Sequence, residues 1–106
     1  MRSPRLSAIR NAVLDELRKL RSKLGGEVYL FGSYAEGTHT RESDVDIVVV
    51  SERFEGLKHP ERVKAVRSML PEDIGFDIIA LTPKELEKRQ EKAFYKDISK
   101  HWVKVE

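Results

Sequence analysis

The segment Val45 to Val50 constrains this chain more than any other. Val45, Ile47, Val48, Val49 and Val50 are β-branched and leave no polar face, with Asp46 the one interruption. Such a run suits a central strand buried on both sides and needs helices to cover it. Phe76 to Leu81 repeats the pattern, again with an aspartate, Asp77, in second place. Both aliphatic runs are far shorter than the roughly 20 residues a membrane span needs. Met1-Arg2-Ser3-Pro4 leads into no signal-like apolar stretch, so the expected compartment is the cytoplasm.

The rest of the chain supplies the helices. Leu6, Ile9, Val13, Leu17, Leu20 and Leu24 form one apolar stripe, with Ser3-Pro4 as its start signal and Gly25-Gly26 as its stop. The opposite face carries Arg10, Arg18, Lys19, Arg21 and Lys23, a solvated face or a docking surface for an acidic partner. Val28 to Phe31 reads as a strand running into Gly32-Ser33, followed by a short helical turn and a loop over 34–43. Val63, Val66, Met69 and Leu70 have helical spacing between Pro60 and Pro71. Thr82-Pro83-Lys84-Glu85 is a capping box. It opens a last helix that should run to about Ile98, with an edge strand in 101–105. The row Lys84, Lys88, Lys92, Lys96, Lys100 and Lys104 drifts about 40° per step around a helix and reads as solvated charge. With 106 residues and no linker or repeat, the chain is one α/β domain, a mixed sheet flanked by helices. The absence of cysteine excludes disulfides, thiolate metal sites and cysteine nucleophiles.

The formal charge of +2 hides a pattern of basic ends around an acidic middle. Residues 1–24 carry +5, residues 25–83 carry −5, and residues 84–106 carry +2. Nucleic-acid binding is the weaker expectation, since no aromatic residues interleave with the basic ones in the first helix. A cation site is one reason for an acidic centre. Asp44 and Asp46 are separated by one residue, so their carboxylates point to one side of a strand and repel. Taken alone, Ser43-Asp44 reads as a simple turn before the strand rather than as a cation site. Asp77 adds a third carboxylate if its strand neighbours that of Asp46. Oxygen ligands of this kind suit magnesium. Gly32 allows close backbone approach of a phosphate, and Ser33 offers a hydroxyl donor. The segment lacks the Gly-Lys-Ser/Thr of a P-loop.

Together, Gly32-Ser33, ten intervening residues, Asp44-Val45-Asp46 and Asp77 resemble the polymerase-β-like nucleotidyltransferase superfamily. The spacing is most similar to the minimal nucleotidyltransferases of prokaryotes, which often pair with a small helical HEPN protein in toxin–antitoxin modules. The resemblance spans about residues 5 to 105. It implies that Gly32, Ser33 and Gly37 of the Gly-Ser-x-Ala-x-Gly segment bind the triphosphate. It further implies that Asp44 and Asp46 hold magnesium or manganese, and that Asp77 completes the metal site and helps deprotonate the acceptor. ATP would be the donor, and AMP would pass to a hydroxyl of a separate protein, a HEPN-type partner whose toxicity the chain counters. The alternative is an antitoxin that neutralises its partner by binding alone. Many relatives carry a basic residue where this chain has Glu36, and Arg41 is near enough in sequence to compensate. His39 is expected in solvent and His59 at a helix start. Tyr34 is a candidate to stack on a base, and Tyr95 and Trp102 are expected to pack the last helix against the edge strand.

Overall fold

The long apolar stripe becomes α1, Pro4–Leu24, in a computed structural model that describes residues 4–106. Ser3, the expected cap of α1, lies outside the described residues. Gly25, at φ 65°, closes the helix and donates its N–H to Arg21 O at 2.9 Å. The chain then forms β1 (Glu27–Phe31), α2 (Gly32–Glu36) and β2 (Val45–Val50). A short 3-10 turn (Glu52–Phe54), α3 (His59–Arg67) and β3 (Phe76–Leu81) follow. The last elements are α4 (Pro83–Gln90), α5 (Ala93–Ser99) and β4 (Val103–Lys104).

The sheet order is β3-β2-β1-β4, with β2 and β3 parallel and the other pairs antiparallel. The parallel pair needs a crossover, which α3 supplies. As expected, β2 is central, and every residue of it except Asp46 is buried. On one face Val45, Ile47 and Val49 join Val13, Leu17 and Leu20 of α1, together with Val66 of α3. On the other, Val48, Val50, Leu81 and Leu86 pack with Tyr95 and Trp102. Each fully buried aliphatic side chain contributes about 1.5–3 kcal/mol, so β2 anchors both layers.

The basic face of α1 is partly tied down within the chain. Arg18 pairs with Asp15 at 2.8 Å, Lys19 pairs with Glu16 at 3.3 Å, and Arg10 Nε donates to Tyr34 O at 3.1 Å. The last helix departs from expectation. It stops at Gln90 and resumes at Ala93, with Lys92 extended between the two pieces. No proline or glycine lies at the break. The bend lets the Tyr95 ring meet Trp102 edge-on at 5.6 Å, while Trp102 also contacts Tyr29 at 5.6 Å. Among the described residues, no helix is long and apolar enough to cross a membrane.

The capping box forms as read, with Thr82 Oγ1 accepting from Glu85 N and Glu85 Oε1 accepting from Thr82 N. Glu85 also receives both terminal nitrogens of the buried Arg62. That guanidinium, with the Thr82 backbone N–H, holds the Glu85 carboxyl at about 2 rather than the model-peptide 4.5. A depressed carboxyl stabilises the fold above the unfolded value and loses that contribution as pH falls toward the folded one. The Glu85 side chain is 44% exposed, so solvent screens the effect. We expect about 1–2 kcal/mol to vanish between about pH 5 and about pH 2. Urea titrations should show this acid loss in the parent and a flatter profile in Glu85→Gln.

Candidate active site

Three strands meet at one end of the sheet, where β1 finishes and β2 and β3 begin. Antiparallel pairing sets Phe31, the last residue of β1, opposite Asp46, and parallel pairing sets Asp46 opposite Asp77. Neighbouring strands lie about 4.8 Å apart, so the two aspartates stand side by side on one face. The conditional expectation that their strands are neighbours is met. Asp46 is half-buried and Asp77 exposed. Burial, a hydrogen bond with the Asp77 carboxyl, and the charges of Asp77 and Asp44 together push the Asp46 carboxyl above its usual range.

Glycines seat these carboxylates. Gly32 begins α2 at φ 69°, and a Cβ there would overlap Asp46 Oδ2. The position therefore needs glycine twice over, for its backbone conformation and for the carboxylate beside it. Gly75 plays the second part for Asp44, because a Cβ on it would overlap Asp44 Oδ1. Gly75 O also accepts from Val45 N at 2.9 Å. Nothing in the sequence marked Gly75, since its importance depends on a contact between two loops. Gly37 caps α2 in the left-handed region at φ 78°, donating its N–H to Ser33 O, and a Cβ would meet nothing there. Its evident role is to turn the chain. Ser33 is half-buried in the first turn of α2, while Glu36 and Arg41 are exposed.

The packing of α2 and the loop after it corrects the expectation for His39 and removes Tyr34 as a candidate to stack on a base. His39 is buried at 1% exposure rather than solvated. Its ring stacks on Tyr34 at 4.3 Å and 18°, and Nε2 lies 3.0 Å from Leu6 O. Tyr34 is itself 3% exposed, so its ring is committed to the interior rather than presented to a base. Both follow from tertiary packing of the loop beneath α1, which local sequence does not announce. Truncating His39 to Ala should cost about 2–3 kcal/mol by opening a cavity and releasing α1, read as a lower urea midpoint. His59 does begin α3.

A cleft of about 330 Å³ borders Asp44, lined also by Tyr34, Arg41, Ser43, Asp73 and Gly75. Among the described residues, no three His, Asp or Glu side chains are gathered closely enough to hold a metal ion. Asp46 and Asp77 form a pair, with Asp44 preceding the strand. Their chemistry nonetheless fits a divalent cation. The donors are hard carboxylate oxygens, and burial together with the Asp77 and Asp44 carboxylates pushes the Asp46 carboxyl above its usual range, a conflict that a cation relieves.

Comparison with known proteins follows the same lines. The family described as "Nucleotidyltransferase domain" matches residues 10–105. "Putative protein adenylyltransferase MJ0141" of Methanocaldococcus jannaschii is 30% identical over 98 residues, covering 88% of this chain and 95% of that one. A second protein of that organism, "Putative protein adenylyltransferase MJ1305", is 36% identical over 74% of this chain and 56% of its own length. A crystal structure described as a "putative nucleotidyltransferase" superposes with a TM-score of 0.54 at 25% identity, over 88% of this chain and 97% of that one. Another, from Sulfolobus solfataricus, gives 0.59 at 24% identity over 78% and 75%, a likeness of fold.

Proposed function

Because the chain belongs to the nucleotidyltransferase domain family, we propose that it transfers AMP from ATP to a hydroxyl of a separate protein. The observation that carries this reading is the registered pair Asp46–Asp77 beside the left-handed turn at Gly32. A protein acceptor is supported by the name of the relative that this chain matches over nearly its whole length. A small helical HEPN-type protein, countered as a toxin, is the partner that the resemblance to minimal nucleotidyltransferases implies.

In this reading the paired Asp46 and Asp77 would hold magnesium or manganese, with Asp44 a further oxygen donor at the start of β2, and Gly32 and Ser33 would receive the triphosphate. Bound divalent ions neutralise phosphate charge and make an acceptor hydroxyl easier to ionise. Gly32 has no Cβ, so a phosphate can approach its backbone closely. Asp77, the exposed member of the pair, faces the acceptor. The acceptor oxygen bonds to the α-phosphorus, pyrophosphate leaves, and the hydroxyl proton passes to the Asp77 carboxylate. Asp46 holds its position against Gly32 and keeps the reacting groups in line.

Calorimetric titration with ATP tests the ion dependence. Binding should require magnesium or manganese, and equal affinity in EDTA would contradict the reading. Glu36 puts a negative charge at the end of α2, where a phosphate ligand would prefer a cation. Glu36→Arg should therefore tighten ATP binding by about three- to tenfold in the same titration.

A further inference from the structure

The outer edge of β3 is occupied by side chains. Ala80 N donates to His59 Nε2 at 3.2 Å, and Arg62 Nη1 donates to Ala80 O at 3.2 Å. An incoming strand finds both groups taken there, so a ligand at this edge must be recognised through side chains. Beside it, between the start of α3 and α4, lies a cleft of about 590 Å³. Leu57, 37% exposed, supplies the accessible apolar surface, with the buried Ala80 and Leu81 behind it. Lys58, Lys88, Arg89 and Lys92 supply cations, all four exposed. Glu85 is the one carboxylate in the lining, and the buried Arg62 neutralises it. Among the described residues, Lys58, Lys88, Arg89 and Lys92 enter no ion pair.

Lys58, Lys88 and Lys92, together with Arg89, whose guanidinium lies 5.7 Å over the Tyr95 ring, crowd positive charge around one cleft, and an anionic ligand relieves their repulsion. An apolar lining offers nothing to a bare phosphate. No Phe, Tyr or Trp lines the cleft, so single-stranded nucleic acid finds no stacking platform. What fits both features is a peptide with carboxylates flanking an apolar anchor. We propose that this cleft docks an acidic protein segment through one aliphatic side chain seated against Leu57. The surface lies apart from the carboxylate pair and stands whether or not AMP transfer is correct.

The test uses the full chain and a fluorescent peptide, Glu-Asp-Glu-Leu-Glu-Asp-Glu, followed by anisotropy. The peptide should bind saturably, and its Leu→Ser version at least about threefold more weakly. Lys88→Glu with Lys92→Glu should weaken binding by about tenfold or more, as should raised salt in the parent. Amide shifts of the parent on adding peptide should fall on Leu57, Lys58, Ala80, Leu81 and Lys88 to Lys92, a readout independent of how the variants fold. No saturation by about 1 mM peptide would overturn the proposal. So would equal binding of the serine peptide, shifts confined elsewhere, or tighter binding of an oligo-dT of equal charge.

Discussion

Asp77→Asn should retain most of the ATP affinity and lose AMP transfer by about 10²-fold or more, the usual scale for losing a general base. The substitution keeps the shape of the side chain. Its amide can still donate a hydrogen bond to Asp46, which now sits above the usual carboxylate range partly because Asp77 is beside it. The fold should therefore survive, since Asp77 is exposed and its strand is anchored by Ile78, Ala80 and Leu81. Asp46→Asn should behave differently. Asp46 is half-buried against Gly32, where phosphate and cation would both be held, so binding and transfer should fall together. Calorimetry for affinity and a mass shift for transfer, on the same preparations, separate the two roles. Wild-type transfer by Asp77→Asn would remove that residue from the chemistry.

The second large effect is expected at Gly32. Alanine there meets a backbone angle of φ 69°, which costs an L-residue about 1–2 kcal/mol. Its Cβ also overlaps the Asp46 carboxylate, so either the turn or Asp46 must shift. We expect Gly32→Ala to destabilise the fold by about 2–4 kcal/mol and to abolish transfer. A double-mutant cycle divides these causes. In an Asp46→Ala background the overlap is gone, and the remaining cost of Gly32→Ala should fall to the backbone strain alone. Equal costs in both backgrounds would mean that Asp46 is not what Gly32 accommodates.

Much of this was legible because the signals are local. The double-faced apolar run of β2, the capping box at Thr82 and the stripe of α1 each follow from spacing within one element. The pairing of Asp46 with Asp77 was legible conditionally, since each aspartate occupies the same place in a similar strand. What escaped depends on distant contacts. His39 looks like any polar loop residue until Tyr34 and Leu6 O close around it. Gly75 is one more glycine until Asp44 Oδ1 lies against it. Arg62 carries no mark in the sequence, yet it is buried with four hydrogen bonds to Leu57, Ala80 and Glu85. The break before Ala93 carries no proline or glycine to announce it, and beyond it Tyr95 meets Trp102.

Transfer of the adenylyl group tests the central claim most directly. The chain should be incubated with magnesium and a protein extract of its native host, with ATP labelled at either the α- or the γ-phosphorus. Label should reach a protein from the α position and not from the γ position, and it should disappear with Asp46→Asn or with EDTA. Labelling from γ-labelled ATP, or undiminished α-labelling by Asp46→Asn, would contradict AMP transfer by this carboxylate pair.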